Sequence, residues 1–219
     1  MSILLNPAYL AMIGRALGMT LFISGFVILA SNLAAFGLCV YMRNPRARLR
    51  PVVVAYSLFA RASPVLALLF VLYYGLPKLG IYLEPLTSAL IGLTFGSAAY
   101  NYEFLRAGFD AVPASQLDAA KSLGLGRLAT VWKVLTPQAY RVAAPALFSN
   151  AVQIVKGSSL ASLVAIDELT AASSTILAET YKAIEVLLTI SLIYGLVSMA
   201  IVGLQYLYES RQAWSRPGR

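Results

Sequence analysis

Apolar positions along this chain run in stretches too long for an ordinary protein core. Residues 16–42 hold 27 positions without a charge. A helix over them, at about 1.5 Å per residue, would reach roughly 40 Å, enough for a bilayer with some tilt. Only Arg15 precedes the run, and it is too long for a cleaved signal, so it reads as a retained helix. Four more stretches read as spans. They are 52–76, interrupted by Arg61; 85–105; 140–158, short and carrying Pro145; and 186–208, uncharged throughout. The pattern predicts an all-α polytopic membrane protein with about five transmembrane helices in a single domain over residues 1–219.

Composition supports this and narrows the chemistry. The chain is 59% apolar and 12% charged, with a mean hydropathy of +0.75. A soluble domain carries about 25% charged residues. There is no histidine and one cysteine, Cys39. These counts exclude a disulfide scaffold, a His/Cys zinc site and histidine acid–base chemistry.

The formal charge of +8 is distributed unevenly. Four arginines and no acid lie between Arg43 and Arg50. Arg106, Lys121, Arg127, Lys133 and Arg141 follow the third stretch, and Arg211, Arg216 and Arg219 follow the fifth. Positive residues collect on the cytoplasmic side of spans, so the N-terminus is expected outside and the C-terminus inside. The charge is then an orientation signal rather than a nucleic-acid footprint, and no nucleic-acid partner is expected. Membrane lipid is an expected partner.

One long polar segment, residues 106–138, lies on that cytoplasmic side. Pro113 ends the preceding segment. Ser115 with Asp118 three residues on predicts a capping box. Leu117, Ala120 and Leu123 sit at helical spacing, and Gly124 and Gly126 predict a stop. Leu128, Val131, Trp132 and Leu135 then form an i, i+3, i+4, i+7 stripe that predicts a second short helix, broken by Pro137. The coupling of two short helices over about 115–135 to the flanking spans makes this a mechanical link, or a unit that docks on a partner.

Here a family resemblance appears. Asp118-Ala119-Ala120, then Gly124, then Leu135-Thr136-Pro137 resembles the EAA loop of ABC importer permeases, with Asp118 in place of glutamate and Thr136 in place of an apolar residue. Arg61-Ala62-Ser63-Pro64, Leu69-Phe70 and Tyr73-Tyr74-Gly75-Leu76-Pro77 resemble a block of the polar amino acid uptake subfamily. So do Tyr100, Glu103, Arg106 and Ala111-Val112-Pro113. Lys156, Ser158 to Ser162 and Glu168-Leu169-Thr170 resemble another, with Gly157 where aspartate is usual. Together these blocks cover roughly residues 55–172 and imply the type I ABC importer permease fold.

The resemblance implies a non-catalytic transmembrane subunit of an ATP-driven importer for a polar amino acid or derivative, multi-pass in the bacterial inner membrane. Its implied partners are a dimer of cytoplasmic ATP-binding subunits, a second permease copy or a homologous permease, and a periplasmic or lipid-anchored amino-acid-binding protein. No cofactor is expected on this chain, and no metal; ATP and Mg are expected on the partner ATPase. The chain has no GxxxxGK[ST] phosphate loop of its own.

The residues expected to contact the ATPase are Asp118, Ala119, Ala120, Ser122, Gly124, Arg127 and Pro137. Those expected along the substrate pathway are Arg61, Ser63, Pro64, Glu103, Asn150 and Ser159. Arg61 lies near mid-span, where a charge is costly and faces a cavity or partner. It either meets a substrate carboxylate or forms a structural ion pair or a bond to backbone carbonyls. Ser63 and Pro64 either unwind the helix or kink it. Glu103 either receives the substrate's amino group or pairs with Arg106 at i+3. Asn150 and Gln153 are expected as interhelical hydrogen-bond partners before substrate ligands. Lys156 is expected to snorkel, and residues 157–170 form either an outer scaffold or a plain loop. The competing reading is a structural or assembly membrane subunit that holds a cytoplasmic partner. An intramembrane enzyme finds no catalytic cluster to support it.

Overall fold

The computed structural model describes residues 6–44 and 46–213. The tail arginines Arg216 and Arg219 lie outside the described residues. Among the described residues the chain is helical almost throughout and has no strand.

The elements in chain order are α1 (Pro7–Met42), α2 (Arg50–Ala62), α3 (Val65–Phe70), α4 (Pro85–Asp110), α5 (Ala114–Ser122), α6 (Arg127–Thr130), α7 (Thr136–Gly157), α8 (Leu169–Thr180) and α9 (Ala183–Ala213). α1 and α9 are each long and apolar enough to cross a membrane unaided. Along α9 the large apolar side chains of Leu188, Leu192, Leu196 and Met199 stay exposed at helical spacing. Such a row is stable only against lipid or a partner chain.

The chain divides into two compact units. The first comprises residues up to Ile28, Pro64–Thr94 and residues from Ala151 onward; the second comprises Leu29–Ser63 and Phe95–Asn150. α1, α4 and α7 each contribute residues to both.

The first unit has two apolar cores. In one, Ile23 and Val27 of α1 pack with Leu69 of α3, Ala89 and Leu93 of α4, Ile154 of α7, and Ala161 and Val164. In the other, Ile13 and Ala16 of α1 pack with Ala172 and Ile176 of α8 and Val186 and Ile190 of α9. The 157–170 segment is folded into these cores rather than being a plain loop. Residues Ser158–Val164 form a tight 3-10 run with Ser158, Ala161 and Val164 buried. Glu168, fully buried, then caps α8. Its carboxylate accepts the amides of Thr170 at 2.8 Å and Ala171 at 3.0 Å, and also the Tyr194 hydroxyl. A helix start needs such acceptors because its first amides have no partner within the helix.

The second unit has one core. It brings together Ala35 and Cys39 of α1, Val53 of α2, Tyr102, Leu105 and Phe109 of α4, and Val131, Leu135, Ala139 and Ala143 around the start of α7. Glycine permits the α4–α7 crossing. A Cβ on Gly108 would lie 2.4 Å from the Ala139 carbonyl oxygen and 3.2 Å from the Ala143 Cβ. Close crossings built on small residues are the common means of helix association where water supplies no hydrophobic drive.

Two sequence expectations change here. The segment 52–76 does not run as one helix. The backbone becomes extended at Ser63 and Pro64, so α2 stops and α3 begins. Proline disfavours helical geometry in the residue before it, and here the result is a break rather than a kink. Pro137, in contrast, does not break its helix. Residues Val131–Leu135 form a wide π-helical turn that leads directly into α7. The wider turn changes the bonding register just ahead of the proline, which has no N–H to donate.

Candidate functional site

Two features of the second unit carry the candidate chemistry: the helix pair between α4 and α7, and a line of charges along α4.

In the helix pair, α5 begins after Pro113, with no side-chain cap. The predicted capping box of Ser115 and Asp118 does not form. Asp118 instead pairs with Lys121 at 3.3 Å on the exposed face, because the helix starts one residue before Ser115. The C-terminal stop follows the sequence expectation. Gly124 has φ +69, its amide bonds Lys121 O at 2.9 Å, and the Leu125 amide bonds Ala120 O at 3.0 Å. That doubly bonded left-handed end suits glycine. Ser122 donates to the Asp118 carbonyl at 3.0 Å. Ala119 is exposed and Ala120 is buried.

The predicted apolar stripe of the second helix divides in two. Val131 and Leu135 enter the core, whereas Leu128 and Trp132 stay 69% and 58% exposed. Leu123, at the end of α5, is 78% exposed. Trp132 stacks obliquely on Phe36 of α1 with ring centres 4.9 Å apart. Arg127 donates to the Arg43 carbonyl and, at 3.3 Å, to Asn44 Oδ1, so it ties the helix pair to the segment after α1. Pro137 sits exposed in the first turn of α7.

The charges along α4 alternate with those of its neighbours. Glu103 Oε1 accepts the Ser57 hydroxyl at 2.7 Å and faces the Arg61 guanidinium at 3.5 Å. Glu103 Oε2 accepts both Nε and an Nη of Arg106, at 3.1 and 2.7 Å. Arg106 also reaches Asp110 at 3.5 Å, and Asp110 pairs with Arg43 at 2.7 Å. Arg43 lies over the Phe109 ring, 5.3 Å from its centre. The resulting order is Arg61, Glu103, Arg106, Asp110, Arg43. Both oxygens of Glu103 are engaged, so it is not a vacant acceptor for an amino group. Arg61 makes the contacts of a structural cation: besides Glu103 it donates to Ser57 O at 3.2 Å, and its own carbonyl accepts the Tyr100 hydroxyl at 3.2 Å.

Asn150 of α7 donates to Asn101 Oδ1 at 2.8 Å, and Asn101 donates to Ser31 Oγ at 3.0 Å, so three helices share one amide relay. Asn101 and Ser31 are buried, and neither is among the residues that the sequence marks as candidates. The available signal was Asn101 itself, a polar residue inside a predicted span. Gln153 is exposed. Ser159 lies in the first unit and donates to the Lys156 carbonyl at 2.7 Å.

Comparison with known proteins agrees with this architecture. Residues 27–214 match the family described as binding-protein-dependent transport system inner membrane component. The probable amino-acid ABC transporter permease protein YckA of Bacillus subtilis is 31% identical over 199 residues, covering 91% of this chain and 88% of its own. The octopine transport system permease protein OccM of Rhizobium radiobacter is 30% identical, over 84% of this chain and 79% of its own. Among solved structures, an amino acid ABC transporter with histidines superposes with a TM-score of 0.86 at 27% identity, over 96% of this chain and 99% of the other. The MetNI methionine ABC transporter shares the fold, with a TM-score of 0.73 at 19% identity. The chain therefore belongs to the family of binding-protein-dependent transport system inner membrane components, and it is a non-catalytic permease subunit of an ABC importer.

Proposed function

We propose that this permease carries a polar amino acid or an amino-acid derivative across the bacterial inner membrane. Its relatives are named for octopine, L-cystine and glutamine transport, which supports cargo with an amino-acid head group. The proposed orientation has the N-terminus outside and the C-terminus in the cytoplasm, following the placement of the basic residues. A second copy or a homologous permease completes the channel, and a binding protein delivers cargo from the outer side. Two ATP-binding subunits, with ATP and Mg, dock from the cytoplasm on residues 115–137.

The observation that carries this reading is the surface of the helix pair. Leu123, Leu128 and Trp132 are exposed, as is Asp118, on a unit whose turn is held by two backbone bonds. Large apolar residues exposed on a rigid unit suit a groove in a partner. Asp118, Ala119, Ser122, Gly124 and Arg127 are the proposed contact or positioning residues. Arg61, Ser63, Pro64, Asn150 and Ser159 are proposed to shape the pathway through their placement in the helices. Glu103 is proposed to hold Arg61 and Arg106 in place.

The test is recovery of the tagged protein from detergent-solubilised native membrane, with mass spectrometry of what remains bound. An ATP-binding subunit should be recovered and should be lost on Asp118→Lys. Recovery of the permease alone, where a known importer stays intact, would overturn the docking role and favour an assembly subunit.

A further inference from the structure

We propose that the end of the α4 charge line is a binding pocket for the headgroup of an anionic phospholipid. Arg43, Arg50 and Arg106 line a cavity of about 310 Å³ together with Met42, Phe109 and Asp110. The charges there do not balance. Counting Arg61, three guanidiniums, those of Arg61, Arg106 and Arg43, share two carboxylates, Glu103 and Asp110, and Arg50 is a fourth beside them. Arg50 donates to the Met42 carbonyl at 2.8 Å, and among the described residues no carboxylate pairs with it. An anion in the cavity supplies the missing charge, and guanidiniums hold phosphate through paired N–H donors.

The walls favour a lipid over a free anion. Met42 and Phe109 give the cavity an apolar side. From Arg50 an exposed apolar row runs along α2 at i+4 and i+8, through Val54 and Leu58. A headgroup phosphate seated on Arg50 places its acyl chain along that row. The placement at the basic end of the helices matches the leaflet where basic pockets between spans bind anionic headgroups. This rests on the proposed orientation, but its test needs no ATPase, so the two can fail separately.

The full-length chain is placed in phosphatidylcholine nanodiscs containing a minor fraction of phosphatidylglycerol, and the retained lipids are counted by native mass spectrometry. Phosphatidylglycerol should be retained well above its share of the bilayer. Arg50→Gln should lower that enrichment about fivefold, the effect of one cation near an anionic surface. Arg50→Lys should restore most of it, and the exposed Lys133→Gln should leave it unchanged. Equal enrichment in Arg50→Gln and the parent would overturn the pocket. Equal loss in Lys133→Gln would also overturn it, by showing a diffuse surface field. Displacement of phosphatidylglycerol by inorganic phosphate at physiological concentration would assign the site to a free anion instead.

Discussion

Replacing Gly108 with alanine tests the α4–α7 crossing on which the helix pair is mounted. The new Cβ would stand 2.4 Å from the Ala139 carbonyl oxygen. An ordinary carbon–oxygen contact is about 3.3–3.6 Å, so the helices must part by about 1 Å. The obstacle is backbone, which cannot rotate aside as a side chain would. Overpacking of this kind costs about 1–3 kcal/mol, and a backbone obstacle belongs near the upper end. Alanine returns about 1 kcal/mol through its better helix propensity. The net loss is about 2 kcal/mol. For a chain of this size that corresponds to a drop of about 4–8 °C in melting temperature. The assay is thermal unfolding of the detergent-purified protein, with Gly18→Ala in parallel. A Cβ on Gly18 meets nothing within 4 Å, so that variant should melt at or slightly above the parent temperature. If Gly108→Ala melts with the parent, the crossing is looser than 2.4 Å implies and the helix pair is not held by it.

Two further outcomes follow from local geometry. Gly124→Ala meets no neighbour within 4 Å but must adopt φ +69, at a cost of about 1–2 kcal/mol that falls on the α5 end. Amide hydrogen exchange across residues 119–126 should quicken severalfold with little change in overall melting, and unchanged exchange would show that the turn is not set by its glycine. Glu168→Ala removes the α8 cap, worth about 1 kcal/mol, and strips an acceptor from the Tyr194 hydroxyl, worth about 1–3 kcal/mol more. Its melting temperature should fall further than that of Glu168→Gln, which keeps one carbonyl oxygen to accept. Equal melting of the two would refute the cap.

The parts of this protein legible in the sequence are those decided by local physics. Gly124 announces a left-handed helix end because few other residues take that conformation, and the structure places one there. The parts that were not legible are decided by competition. Pro137 after an apolar stripe predicts a helix end, yet the wide turn at Val131–Leu135 runs into α7 and leaves the proline in that helix's first turn, where it is tolerated. The Ser115–Asp118 spacing predicts a capping box, but the chain enters α5 directly from Pro113. The spacing of Leu128, Val131, Trp132 and Leu135 predicts one face; two of its members pack inward and two face out. Periodicity identifies a helix, but it does not say which part of an apolar arc meets a core and which part awaits a partner.

The charged residues make the same point about function. Read along the chain, Glu103 and Arg106 are an i, i+3 pair, and Arg61 is a lone cation in a predicted span. Only folding brings Arg61 and Arg43 to opposite ends of the same α4 face, where Glu103 and Asp110 alternate with them. An exposed pair of this kind contributes little by itself. The consequence of the alignment is different: it uses up every carboxylate oxygen of Glu103. Glu103, which its position offers either as a receptor for an amino group or as a partner of Arg106, is an internal counter-ion, and of the arginines lining the cavity Arg50 is the one that no carboxylate among the described residues pairs with. A guanidinium that lines a cavity without a carboxylate partner is a place where an anion from outside the chain can bind. That makes the α1–α2–α4 corner, more than Arg61 in the last turn of α2 with its Glu103 partner, the place in this unit where the proposed anion would bind.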